Sequence, residues 1–308
     1  MITVFTPVYN RAHLLPRLYE SLCRQTFKDF EWVIVDDGSS DDTRSVVEKF
    51  SVLGFELSGD KAQSLTPPPS PLNPNTIRYF YQENGGKHRA INRGVEEARG
   101  DLFLILDSDD TLPERSLEWI NHYYQQIKDD TSFGGVCGYM AHHDGTIIGT
   151  GNNASVLDTN TIDLRYRYGV KGDMCEVFKT SVMKLFPFPD ISGEKFCPEA
   201  LVLFKIAKKY KLRVFHEVIY YRDYLDGGLT DRIVRIRMES PLASMLTYKE
   251  MLESNGVGII RKCELAINYY RFRLCSKNNQ ECPHVSLSWS CFFPVGWLMH
   301  KRDLRKFR

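Results

Sequence analysis

Apolar positions along the first 120 residues fall into two alternating periods. Short apolar runs of strand length are followed by stretches whose apolar residues recur every three or four positions. That alternation predicts strands joined by crossover helices in a mostly parallel sheet. Residues 2–5 read as a short buried strand, and Leu14, Leu15, Leu18, Tyr19 and Leu22 then mark one helical face, with Pro16 tolerated in its first turn. Residues 30–35 predict a second strand, stopped by Asp36-Asp37-Gly38-Ser39-Ser40 ahead of a helix opening near Asp42. Residues 77–81 predict a third strand, Ala90, Ile91, Val95 and Ala98 another helical face ended by Gly100, and residues 102–106 a central strand buried on both sides.

Beyond residue 130 the pattern is mixed. It predicts a strand at 135–141, a turn at His143-Asp144-Gly145, helices over 176–185 and 198–210, and a strand over 212–221. A Gly-rich loop at Asp226-Gly227-Gly228 and helices over 231–253 and 258–275 follow. One segment breaks the rhythm: residues 67–74 read PPPSPLNP, so 54–75 is expected to be an inserted surface loop. The expected organisation is a body over 1–230 and a helical extension over 231–308 with a basic aromatic tail.

Composition narrows the function classes. At 308 residues, 43% hydrophobic and 26% charged, the chain is one large folded domain or a domain with an appendage. Its 40 basic and 39 acidic residues nearly cancel, which argues against a nucleic-acid partner. The balance is uneven: residues 241–308 hold 11 Lys/Arg against 5 Asp/Glu, leaving an acidic body. Eight cysteines without C-x-x-C spacing make a disulfide or zinc framework unexpected. Met1 leads directly into Ile2-Thr3-Val4-Phe5, with no basic n-region and no membrane-length apolar run, so a cytoplasmic location is expected.

In an open parallel sheet, ligands bind beyond the carboxyl ends of the strands. Three polar clusters fall there: Thr6-Pro7-Val8-Tyr9-Asn10, Asp36-Asp37 and Asp107-Ser108-Asp109-Asp110. Carboxylates gathered at one edge repel one another, and a bound cation relieves them. Oxygen-only ligands suit Mg²⁺ or Mn²⁺, which is commonly shared with the phosphates of a substrate, so Asp107 and Asp109 are the expected metal ligands. The plainer reading of Asp110-Thr111-Leu112-Pro113-Glu114 is a helix cap with a capping box, and that of Asp36 and Asp37 a turn against a helix dipole.

Three stretches, 2–43, 83–101 and 102–120, resemble family 2 glycosyltransferases, whose nucleotide-sugar-binding fold is called GT-A. The resemblance implies an α/β GT-A fold with a nucleotide-binding half over about 1–120 and an acceptor half over about 121–230. It also implies donor contacts from Pro7 and Tyr9, base recognition by Asp37, and ribose and metal binding through the Asp107-Ser108-Asp109 motif. Lys87 and Asn92 match the G-K-x-x-A-x-N-x-G stretch that lines the donor cleft in that family. Inverting transfer needs a general base for the acceptor hydroxyl. Aligned on its helical tail, the Cys197-Pro198-Glu199-Ala200 stretch puts Glu199 at the family's base position, where an Asp is usual, with Glu194 as rival.

The resulting expectation is an inverting, metal-assisted transferase. It would move a hexosyl or N-acetylhexosaminyl group from a nucleoside-diphosphate sugar, UDP being the commonest carrier, to a glycan or lipid-linked glycan. The departure at the base position leaves an alternative, a catalytically weak nucleotide-sugar-binding or scaffold subunit. His216 is expected to be structural, and Arg222 to meet either the diphosphate or a surface carboxylate. Trp289, Phe292, Phe293, Trp297 and Leu298 precede Lys301, Arg302, Arg305, Lys306 and Arg308. Aromatics beside a basic run suit an anionic membrane surface; the bland alternative is a helix packed on the body.

Overall fold

A computed structural model describes residues 1–53, 72–151, 154–222, 229–276 and 282–307. The expected loop over 54–75 lies outside these up to residue 71, as does the loop at 226–228. Residues 74–76 form a short 3₁₀ turn.

The strands are β1 (Ile2–Val8), β2 (Phe30–Asp37), β3 (Ile77–Gln82), β4 (Leu102–Ile105), β5 (Phe133–Ala141), β6 (Val156–Thr159), β7 (Met174–Lys179) and β8 (Lys211–Tyr221). They form one sheet in the order β3-β2-β1-β4-β7-β5-β8-β6. The four strands predicted from the first 120 residues are the parallel half. In the other half β7 runs antiparallel to both β4 and β5, and β8 is parallel to β5 and antiparallel to β6, so the sheet as a whole is mixed.

Side-chain alternation distributes the core over both faces. Ile2, Val4 and Ile34 point to one face, against Leu15, Leu18 and Leu22 of α1 (Leu15–Cys23) and Leu117 and Ile120 of α4 (Ser116–Gln125), beside α2 (Thr43–Leu53). Phe5, Val33 and Val35 point to the other, against Ala90, Ile91 and Val95 of α3 (Lys87–Glu97), Val182 and Met183 of α6 (Thr180–Leu185) and Leu201 and Val202 of α7 (Ala200–Ala207). Gly94 is required where α3 crosses β1, because a Cβ there would stand 2.2 Å from the Phe5 ring.

Two sequence expectations are corrected. The helix expected from residue 176 is strand β7 as far as Lys179 and becomes helix only in α6, because β7 is paired on both sides, with β4 and β5, and buries Met174, Cys175, Val177 and Phe178 on both faces of the sheet. The helix expected over 231–253 is two helices, α8 (Leu229–Glu239) and α9 (Pro241–Leu252), because Pro241 cannot continue α8 and instead opens α9. Strand β6 and α5 (Thr161–Tyr166, capped by Asn160) were not anticipated. Helices α10 (Ile259–Arg273) and α11 (Phe293–Lys306) complete the chain. A third core joins Ile162 and Phe204 to Met245, Leu265, Ala266 and Tyr269, so the C-terminal helices are fastened to α5 and α7.

Candidate functional site

In the parallel half the register aligns Val8 with Asp36 and Phe5 with Ile105. The segments after β1, β2 and β4 therefore leave the sheet along one edge, where chain order reverses between β1 and β4. Tyr9 stands at the rim, 51% exposed, beyond half-buried Pro7.

Helix α3 delivers Lys87 into this crevice, and Asp37 fixes where α3 begins. One Asp37 carboxylate oxygen accepts from Gln82 Nε2 at 2.7 Å and Gly85 N at 2.9 Å; the other accepts from Gly86 N at 2.7 Å and Asn84 Nδ2 at 3.3 Å. Gly86 precedes the helix with φ 98°, and a Cβ there would lie 1.9 Å from the Lys195 carbonyl oxygen, so only glycine fits. The negative charge of Asp37 thus lies against the positive end of α3. This corrects the expectation that Asp37 faces a ligand and shares a cation with Asp107 and Asp109: four protein donors already satisfy it, and it is 4% exposed. Asp36 is equally committed, accepting from Ser39 N at 2.8 Å and the Tyr79 hydroxyl at 2.6 Å.

Lys87 Nζ lies 2.7 Å from Asp107 Oδ1, 2.9 Å from Asp107 Oδ2 and 2.8 Å from Glu199 Oε1. Burial would lower the pKa of this ammonium, but the two carboxylates outweigh it and hold the pKa above the ordinary lysine value. One lysine therefore joins the expected metal acid to the expected base, although 112 positions separate Lys87 from Glu199 in the chain. Glu199 precedes the first turn of α7, and its side chain is 43% exposed.

The segment leading to Glu199 is held on α3. Arg89 donates to Asp190 Oδ1 at 2.7 Å and to the carbonyls of Ile191 and Glu194 at 2.8 Å each. Asn92 exchanges two 2.9 Å hydrogen bonds with the Phe188 backbone. Asn92, expected to line the donor cleft, is half-buried and uses one hydrogen bond at each end of its amide to fix residue 188. Glu194 is corrected as a base candidate. It is 6% exposed, and its oxygens accept from Leu242 N at 2.7 Å and Ala243 N at 2.9 Å, so it caps α9.

Asp107, Asp109 and Asp110 each offer an oxygen within 4.8 Å of the others. Asp107 Oδ1 is buried and receives no hydrogen bond, although the Lys87 ammonium stands 2.7 Å away. Three hard oxygen donors this close together, with the Lys87 cation against Asp107, fit Mg²⁺ or Mn²⁺. Asp110, 3% exposed, is the acid that the cap reading set aside. No capping box forms, because α4 starts only at Ser116 and Thr111 pairs with Tyr221 through backbone hydrogen bonds of 3.1 and 2.9 Å. Burial, with the charge of Asp107, pushes the Asp110 carboxyl up to about 7. Ser108 is buried in the same loop. Arg17 of α1 donates to the Asp109 carbonyl.

Two further residues escaped the sequence reading. Tyr220 on β8 bonds to this loop from the far half of the sheet. Glu176 on β7 has a buried Oε1 without a hydrogen-bond partner, and burial, with Glu199 and Asp173 adding, pushes its carboxyl to about 7 against the opposing Arg165. The apolar residues flanking Glu176 at strand spacing were the available signal. Arg222 pairs with Asp173 at 2.9 Å, the surface-carboxylate alternative, and the exposed His216 ring lies 4.9 Å from Tyr139.

Residues 3–146 match the sequence profile of "Glycosyl transferase family 2". The first half of the chain belongs to that family. The glycosyltransferase GlyG of Streptococcus pneumoniae is 30% identical over 130 residues, covering 42% of this chain and 36% of GlyG. The GalNAc(5)-diNAcBac-PP-undecaprenol beta-1,3-glucosyltransferase of Campylobacter jejuni is 32% identical over 113 residues, covering 36% of this chain and 30% of that enzyme. The chain thus spans about a third of the length of these curated relatives. Among solved structures, S. aureus TarS 1–349 in complex with UDP-GlcNAc superposes with a TM-score of 0.59 at 18% identity, over 96% of this chain and 79% of that one. The mannosyltransferase PcManGT of Pyrobaculum calidifontis, in complex with GDP-Man and Mn²⁺, gives 0.53 at 17% identity, over 96% and 73%. The family 2 module therefore carries the GT-A fold, as the sequence implied.

Proposed function

We propose that this chain is an inverting glycosyltransferase that moves a hexosyl or N-acetylhexosaminyl group from a nucleoside-diphosphate sugar, UDP being the favoured carrier, to a glycan or lipid-linked glycan. The observation that carries the reading is the ion-paired trio Asp107–Lys87–Glu199 at the C-terminal edge of the parallel strands. It brings a metal-competent acid group and a half-exposed carboxylate to one crevice. Asp107, Asp109 and Asp110 would hold Mn²⁺ or Mg²⁺, which when bound would stabilise the charge on the departing diphosphate. Tyr9 and Pro7 offer an exposed wall beside β1 for the donor base. Glu199 accepts the proton of the acceptor hydroxyl as that oxygen attacks the anomeric carbon, and Lys87 sets the side chain's direction.

Conversion of a sugar-nucleotide panel in the presence of Mn²⁺ tests this. Glu199→Gln, nearly isosteric, is expected to lower turnover about 100-fold or more while nucleotide binding persists. Undiminished turnover in that variant would remove Glu199 from the chemistry, and nucleotide binding without turnover in the parent chain would favour a scaffold subunit.

Peripheral docking on an anionic membrane face belongs to the same reading. Among the described residues no helix is long and apolar enough to cross a membrane. Helix α11 packs on α10 through Gly296, His300 and Asp303, with Arg271 donating to Asp303 at 2.5 and 2.8 Å, which accounts for part of the tail as a packed helix. Its other side leaves Val295, Trp297, Leu298, Lys301, Arg302 and Arg305 exposed, near Leu287 at 87% exposure. Apolar and basic groups on one free surface suit an anionic bilayer. Anionic vesicles are expected to float the parent chain and to lose a Trp297→Ser, Leu298→Ser variant; equal flotation of both would rule the surface out.

A further inference from the structure

The acids that would hold a cation sit on a four-residue loop after β4, inside the segment that matches the family profile. Beyond one internal turn, in which Asp110 N donates to the Asp107 carbonyl at 3.1 Å, the bonds that hold that loop come from outside it. The hydroxyl of buried Tyr220, on strand β8, accepts a hydrogen bond from Asp107 N at 3.0 Å and donates its single proton to Asp110 Oδ2 at 2.7 Å. One phenol thus spans both ends of the loop, and next to it the Thr111 and Tyr221 backbones bond to each other in both directions. The phenol also fixes the orientation of the Asp110 carboxylate, whose Oδ2 accepts the tyrosine hydrogen bond while the group offers an oxygen within 4.8 Å of those of Asp107 and Asp109. Without the hydroxyl, two buried groups lose their partner, and Asp110 is free to rotate away from the other two acids.

Resting on the metal-dependent reading above, we infer that Tyr220 is a positioning residue for the cation: its hydroxyl holds Asp107 and Asp110 in the arrangement that a divalent ion needs. It touches neither donor nor acceptor. The family-matched segment would then be incomplete as a cation site without the second half of the chain, because β8 supplies this hydroxyl. Supporting hydrogen bonds of this kind commonly control metal affinity by 10- to 100-fold.

The test measures Mn²⁺ binding, not turnover, by titrating the full chain with Mn²⁺ in the presence of saturating UDP and following free Mn²⁺ by electron paramagnetic resonance. Tyr220→Phe is expected to weaken Mn²⁺ binding about tenfold or more. The matched control is Tyr123→Phe, which removes a 3.0 Å hydrogen bond from the α4 tyrosine to Glu217 of the same strand, away from the loop. It is expected to leave Mn²⁺ affinity unchanged. Should Tyr220→Phe not fold, Asp110→Asn, which keeps the side chain's size and an acceptor for the phenol but removes the charge, is expected to weaken Mn²⁺ by a similar factor. Equal Mn²⁺ affinity in Tyr220→Phe and the parent, equal affinity in Asp110→Asn where that variant stands in, or equal losses in Tyr220→Phe and Tyr123→Phe, would overturn the inference while leaving the metal reading intact. A parent chain that binds no Mn²⁺ with UDP would overturn both.

Discussion

Lys87 and Asp37 show how residue type alone locates chemistry without assigning its role. Both were identifiable from their motifs, and both lie at the predicted sheet edge. Only three-dimensional contacts separate a lysine that bridges Asp107 and Glu199 from an aspartate enclosed by four donors. The charge argument failed at Asp37 because backbone N–H groups, which carry no sequence signal, neutralise it. At Asp107 and Asp109 no such neutralisation by backbone occurs among the described residues, and Asp110 joins them, each offering an oxygen within 4.8 Å of the others. His88, next along α3, adds a pH effect. It is 3% exposed, its Nδ1 has no hydrogen-bond partner, and burial lowers its pKa from 6.5 to about 4. Between those values the unfolded chain takes up a proton that the native side chain refuses, so this group's contribution to stability is full above about pH 6.5 and is lost as pH falls. The loss is about 2 kcal/mol from about pH 7 to about pH 5. Urea unfolding at both pH values should show that increment in the parent and not in His88→Gln; identical pH dependence would contradict it.

At the scale of elements, the parallel strands were legible because buried runs bounded by turn residues repeat with helical faces between them. The second half was less so. Strand β7 is antiparallel and interrupted by a charged Glu176, and α8 and α9 share one apolar rhythm that only Pro241 divides. The cap on α9 was invisible for the same reason: Glu194 reaches Leu242 and Ala243, 48 and 49 residues away. Glu194→Ala should therefore lower stability by about 1–3 kcal/mol, the usual range for losing a cap or leaving buried N–H groups unpaired. Turnover per folded molecule should stay unchanged, since the carboxylate faces α9 and not the crevice. Thermal unfolding alongside a transfer assay checks both; intact stability with lost turnover would restore Glu194 as the base.

Across the whole molecule, one mixed sheet brings a family-matched acid, Asp107, and Glu199 of the second half onto the same ammonium of Lys87, and a third core fastens the C-terminal helices behind α7. The fold class was legible early because alternating periods constrain topology strongly. The meeting of Lys87 with Glu199 was not, because no local pattern encodes a contact across that much chain. The central claim is that this crevice takes a nucleoside diphosphate together with a divalent ion. A thermal-shift comparison of nucleoside diphosphates with and without Mn²⁺ tests it most directly. At about 100 times its dissociation constant, a ligand adds roughly 2.7 kcal/mol, or about 5 °C for a chain of this size. The account predicts such a rise for at least one diphosphate with Mn²⁺, lost when Asp107 and Asp109 are replaced by Asn. No rise with any diphosphate, or a rise that survives those replacements, would contradict it.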